Sequence, residues 1–168
     1  MLHHLKILLF LACATGVLAG TEDFVNFPVT VATYTNGTFT GRDGSTWTFA
    51  WCRGSSIINA PTPGLHKGTA PLACVFSGTI TGGCGTLSFD YMRMYTTTVM
   101  VDVVINDVVR HTITGTASQN IVTSTGPLVI NTGGNFTLKI VQNNFNAGQV
   151  AIDNIVWDGY GGSAPEPP

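Results

Sequence analysis

Charge is what this sequence has least of. Asp, Glu, Lys and Arg make up 10% of its 168 residues, where an ordinary soluble domain carries about 25%. With 7 basic side chains against 9 acidic ones and a net charge of −2, nothing draws the chain to polyphosphate, and no nucleic-acid partner is expected. No apolar run approaches the roughly 20 residues needed to cross a bilayer, so no membrane span is expected either. The Gly-x-Ser-x-Gly elbow and the paired histidines of metal hydrolases are missing, as is any Cys-x-x-Cys pair. These absences remove the usual hydrolase and structural-zinc readings.

What the chain does have is apolar bulk, 44% of its residues, together with 20 glycines. That content excludes a disordered protein and favours a β-rich extracellular one. The length suits one domain.

The first residues form a unit of their own. One Lys at position 6, an apolar stretch from Ile7 to Ala14, and Val17-Leu18-Ala19 read as a secretory signal peptide over 1–19, cut after Ala19. A β-domain is expected over 20–158, followed by a Gly/Pro-rich tail over 159–168. Export makes a disulfide plausible. Cys13 leaves with the leader, and Cys52, Cys74 and Cys84 are an odd number. Cys74 with Cys84 is the favoured pair, because the two are expected to flank one short hairpin at Thr81-Gly82-Gly83.

Period-two alternation is the dominant pattern. Leu87, Phe89 and Tyr91 form one such series, Val99 to Ile105 a second, and Phe136, Leu138 and Ile140 a third. Asn106-Asp107 sits between two strands where residues that tolerate the left-handed conformation are needed. About ten strands with turn signals every 8–12 residues predict an all-β, two-sheet antiparallel sandwich of jelly-roll type.

Several aromatic side chains, among them Tyr34, Trp47, Trp51, Tyr91, Tyr95 and Trp157, offer faces on which sugar rings stack. Trp47 and Phe49 share one strand face and are expected in the core. Trp51 follows a shift in the alternation and Tyr95 ends a strand, so these two are the surface candidates. Asn143 and Asn144, with Gln142 beside them, supply hydrogen-bonding groups at one rim. Asp153 stands inside the apolar run Val150–Trp157, where a carboxylate needs a cation or several donors. Backbone amides, Arg53 and Arg93 are its protein-only partners to consider.

The string from Tyr34 to Trp47, then Cys52-Arg53-Gly54, Ser77 to Gly83, Leu87 to Met92 and Gly148 to Ile155 occur in an order that resembles a family. It is similar to the secreted bacterial β-sandwich modules found beside extracellular nucleases and among type IX secretion cargo. The resemblance implies a jelly-roll related to carbohydrate-binding modules, with no catalytic residues. It also implies a structural Ca²⁺ held by an acid of the first strand and an Asp of the closing strand, here Glu22 and Asp153. Val25 departs from the acid often carried at that place.

The function expected is a non-catalytic, secreted module that binds extracellular polysaccharide. The alternative is a self-associating subunit of a filament or surface layer, using Met92, Met94, Val104 and Ile155 as exposed apolar contacts.

Overall fold

The computed structural model describes residues 19–55, 57–59, 61–116 and 118–161. The expected leader, apart from Ala19, and the tail from position 162 onward lie outside them. The described residues contain no helix, and so none long and apolar enough to cross a membrane. They contain twelve strands: β1 Gly20–Glu22, β2 Thr35–Thr40, β3 Thr46–Arg53, β4 Gly64–Leu65, β5 Cys74–Phe76, β6 Cys84–Arg93, β7 Val99–Ile105, β8 Val108–Gly115, β9 Val122–Ser124, β10 Leu128–Thr132, β11 Leu138–Gln142 and β12 Val150–Trp157.

Alternation decides which side chains turn inward. In β7, Val99, Val101, Val103 and Ile105 are fully buried, whereas Met100, Asp102 and Val104 are half-buried. In β11, Leu138 and Ile140 are buried and Lys139 and Val141 are not. Each large aliphatic or Phe side chain placed inward contributes about 1.5–3 kcal/mol. β-Branched residues suit the pleat they occupy.

The strands pair in the order β10-β6-β12-β4-β3-β5-β11-β7-β8, with β1 on β12, β2 on β3 and β9 on β6. The strand ladders are antiparallel. This path folds over on itself. His111 of β8 lies 2.9 Å from the Val129 carbonyl of β10, and the Tyr91 ring of β6 covers Gly115 of β8. The result is the expected all-β jelly-roll sandwich, its core filled from both layers by residues such as Trp47, Phe49, Leu87, Phe89, Leu138 and Ile152.

Asn106 and Asp107 do adopt left-handed angles, φ 49° and 60°, and close the β7–β8 hairpin. The other expected hairpin is corrected. Gly82 and Gly83 turn the chain with φ of 94° and 75°, but β5 pairs with β3 and β11 while β6 pairs with β10, β12 and β9. Between them Ile80 bonds to Phe136. Cys74 and Cys84 therefore sit on strands that share no ladder, and the expected bond is not formed. All three thiols are free and buried. Cys52 faces the Ala50 and Cys74 carbonyls and Cys84 the Thr86 carbonyl. Burial pushes all three thiols up, Cys84 to about 12.

The apolar contacts proposed for self-association are corrected as well. Met92, Met94 and Ile155 are buried and Val104 is half-buried. A polypeptide cover explains the methionines. Met92 and Met94 leave the main core on the outer face of β6, where they meet Ala151 of β12 and Ile58 of the loop above.

Candidate functional site

Two extra residues in the sheet re-aim the side chains that matter. In the β2–β3 ladder Thr35 pairs with Cys52 and Gly37 with Phe49, so Ala50 and Trp51 together oppose Asn36. This β-bulge carries Trp51 at φ 52°, and the Asn36 Oδ1 accepts a 2.7 Å bond from the Trp51 amide. It is the physical form of the shift in alternation. Before it Trp47 and Phe49 point inward; after it Cys52 does. Trp51 ends half-buried and rooted on the core.

The bulge delivers Arg53 to the end of β3 at the loop end of the sandwich. Its guanidinium carbon lies 5.2 Å from the Tyr34 ring centroid and 5.7 Å from that of Tyr95, a two-sided cation–π arrangement. An Arg53 terminal N–H donates to the Tyr95 hydroxyl at 3.1 Å. His66, just past β4, meets Tyr34 edge-on at a centroid distance of 4.1 Å. Arg53 Nε and His66 Nδ1 are buried without a hydrogen-bond partner, and the Tyr34 hydroxyl has the Gln149 side chain beside it. Burial pushes the Tyr34 hydroxyl up, against the opposing pull of Arg53.

Beside this stack runs a groove of about 360 Å³ on the outer face of β6, lined by Arg53, Met92, Met94, Tyr95, Gln119 and Asn120 among others. Gln119 is anchored to the Met94 carbonyl and Asn120 to the Arg93 carbonyl. Tyr95 stands at the groove 46% exposed. The structure thus gathers an aromatic face, amides and a guanidinium at one place. Tyr95 and the Tyr34 ring were readable as aromatics, but Arg53 and His66 were missed as site residues. Four residues separated by about thirteen to thirty positions in sequence meet only through the β3–β4–β12–β6 pairing, and no local pattern announces that.

Asn143 and Asn144 lie elsewhere on the rim. The Asn143 side-chain amide donates to both Asp102 carboxylate oxygens at 2.9 Å. The Asn144 side chain donates to Asn143 and its Oδ1 accepts from the Asn146 amide. Their loop closes where Gly148 packs against the Thr97 carbonyl, an approach that no side chain at 148 would permit. Neither lines the groove. Gln142 is buried, with its amide N–H bonded to the Gly148 carbonyl.

The two buried acids are held by donors. Glu22 accepts from the Phe24 and Arg42 amides, both at 2.7 Å. Asp153 accepts from the Asn154 amide at 2.7 Å, the Asn59 amide at 3.1 Å and the Thr62 hydroxyl at 3.0 Å. A second bulge explains why Asp153 is off the main core: Asn154, at φ 50°, and Ile155 together oppose Phe89, so Asp153 shares the outer face of β12 with Ala151. Burial raises both carboxyls, and their amide bonds pull the other way. Each carboxylate faces the positive ends of N–H dipoles where a calcium ion needs oxygen lone pairs. Among the described residues no three His, Cys, Asp or Glu side chains form a metal-sized group. Glu22 and Asp153 as they stand do not fit Ca²⁺. Arg53 and Arg93 are likewise not partners of Asp153.

No protein-family model matches the chain, and no curated protein matches it. Solved structures do. A family 29 carbohydrate-binding module, CBM29-2, is 12% identical over 90% of this chain and 99% of that one, with a TM-score of 0.52. The CBM36-1 domain of a multidomain xylanase from the hindgut metagenome of Trinervitermes trinervoides is 15% identical over 87% of this chain and 100% of that one, with a TM-score of 0.50. At these identities the likeness is one of fold: the sandwich is built as carbohydrate-binding modules are.

Proposed function

We propose that this chain is a secreted, non-catalytic module that binds extracellular polysaccharide in the groove at Tyr95, with Trp51 bracing the strand end that carries the site. The observation that carries this reading is the exposed Tyr95 ring, pinned by Arg53 at the edge of a groove lined by Gln119 and Asn120. Sugar rings present C–H faces that stack on aromatics and hydroxyls that take up amides, which is the chemistry this groove offers. The shared fold with carbohydrate-binding modules supports it. Catalysis finds no support in the buried acids, because Glu22 and Asp153 spend their oxygens on backbone donors far from any nucleophile pattern. Secretion rests on the leader-like segment.

Affinity electrophoresis of the purified protein in gels containing soluble polysaccharides tests the reading. Retention by at least one polysaccharide, lost in Tyr95→Ala without loss of folding, is the expected result. Release of reducing sugar would overturn the non-catalytic part.

A second reading, self-association, is favoured by Val108 and Val109, 51% and 53% exposed on β8 at one end of the strand order. Size-exclusion chromatography separates the two: a monomer leaves the binding module, a ladder of oligomers supports the subunit.

A further inference from the structure

We infer that the sugar recognised in the Tyr95 groove is acidic, carrying a carboxylate that Arg53 reads. This rests on the groove being a glycan site and adds the ligand's charge.

Among the described residues Arg53 is the one charged side chain lining the groove. Among the described residues the ion pairs join Arg42 to Asp23 and Lys139 to Asp107, and no carboxylate lies within 4 Å of Arg53. A guanidinium without a counter-ion, partly removed from water, is costly unless something offsets its desolvation. Two aromatic faces and one tyrosine hydroxyl offset part of that here. They also fix the plane of the fork, so a bidentate partner meets a group whose rotamer entropy has already been given up.

The neighbouring chemistry narrows the partner further. Gln119 and Asn120 spend a side-chain amide and a backbone amide on the strand beside them, which positions the remaining polar atoms along the groove. No acidic side chain lines it to repel an anion or to take a cationic ligand. The Tyr95 face beside the fork suits a ring that is apolar on one side. A uronate offers both parts: a pyranose C–H face for Tyr95 and a planar carboxylate for the terminal N–H groups that Arg53 has left beside its buried Nε and its bond to Tyr95.

The test compares polygalacturonate, the same polymer fully methyl-esterified, and neutral xylan, with the full chain as wild type, Arg53→Gln, Arg53→Lys and Tyr95→Ala. Thermal melts establish that each variant is folded, and Arg53→Lys keeps an alkyl stem between the rings if Arg53→Gln does not fold. Wild type should bind the acid at least about tenfold more tightly than the ester, the worth of one charge-assisted contact. Arg53→Gln should erase that ratio, and Arg53→Lys should retain part of it while losing the fork. Tyr95→Ala should weaken acid and ester alike. Equal binding of acid and ester, or a preference that survives in folded Arg53→Gln, overturns the acidic-sugar inference and leaves the glycan reading standing. A folded wild type that none of the three polymers retains overturns the glycan reading and this inference with it.

Discussion

Two aromatic clusters lie on the same β2–β3 pair and behave in opposite ways. At one end Phe24, Phe27, Phe39, Trp47 and Phe49 pack edge-to-face and tilted, with centroids 4.8 to 6.4 Å apart. Every one is buried, and the one polar atom among their rings, the Trp47 indole N–H, is bonded to Asp43 at 3.2 Å. At the other end Tyr34, His66, Arg53 and Tyr95 are just as closely stacked, yet Arg53 Nε and His66 Nδ1 are buried without partners. The first cluster has reached its low-energy arrangement with protein groups alone. The second leaves polar atoms unpaired inside the protein and borders a groove that exposes the Tyr95 ring and holds the Arg53 guanidinium. Aromatic density alone does not mark a site; what distinguishes the second cluster is an exposed ring and a cation without a counter-ion beside a groove.

The largest effect should come from the satisfied cluster. Trp47→Ala removes a ring that is 0% exposed, and such truncations cost about 3–5 kcal/mol through lost contacts and the cavity left behind. Chemical denaturation should show that loss, with glycan retention disappearing only together with the fold. If Trp47→Ala abolished retention while melting normally, the division between a structural and a functional cluster would break.

Asp153→Ala comes next. It strands the Asn59 and Asn154 amides in a buried place, at a cost of about 1–3 kcal/mol. Asp153→Asn should cost less, since one oxygen acceptor remains. Burial holds the Asp153 carboxyl above its ordinary 3.8, so the folded state takes up its proton more readily than the unfolded chain. Stability from this group is therefore full below about 3.8 and is lost as pH rises through the raised value, and Asp153→Asn should remove that part of the pH profile. Excess chelator should leave the wild-type melt unchanged. A calcium-dependent rise in melting temperature that Asp153→Ala abolishes would restore the metal-site reading of Glu22 and Asp153.

Tyr95→Ala inverts the pattern. With the ring 46% exposed, its removal should cost only about 1 kcal/mol, the worth of its contacts with Arg53, while polysaccharide retention falls steeply. Isothermal titration beside a melting curve measures both. A large stability loss would make Tyr95 a packing residue like Trp47.

The sandwich was legible because period-two patterns and an Asn-Asp turn are local signals, and β7, β8 and β11 follow them closely. The bulge at Trp51 was legible too, as a break in alternation between Phe49 and Cys52. What the sequence does not display is which strands become neighbours. Thr81-Gly82-Gly83 looks like a hairpin turn, but the pull of Ile80 toward Phe136 sends the chain across to the other layer, and with it went the Cys74–Cys84 pairing. Arg53 looked like a partner for Asp153. The Asn59 amide of the overlying loop and the Asn154 amide of β12 hold Asp153, and the guanidinium lies with the tyrosines. Met92 and Met94 read as exposed because their face of β6 is not the main core, and only the overlying loop around Ile58 covers them.

The smallest effect on binding should be that of Asn144→Ala. Asn144 is a polar residue on the same rim as the groove, and by residue type alone it is as good a sugar ligand as Gln119. Its side chain is spent within its own loop: the amide N–H donates to Asn143 at 3.1 Å, and its oxygen accepts from the Asn146 backbone at 2.8 Å. Removing it should loosen one turn by about 0.5–1.5 kcal/mol, since both bonds lie at or near the surface, and should leave polysaccharide retention unchanged. Gln119→Ala is the matched comparison, because its amide lies in the groove beside Tyr95 and its loss should weaken retention several-fold. Parallel affinity gels of the two variants read the difference directly. If Asn144→Ala loses retention and Gln119→Ala keeps it, the ligand lies across the 143–149 loop instead, and the unspent polarity at Arg53 has another cause.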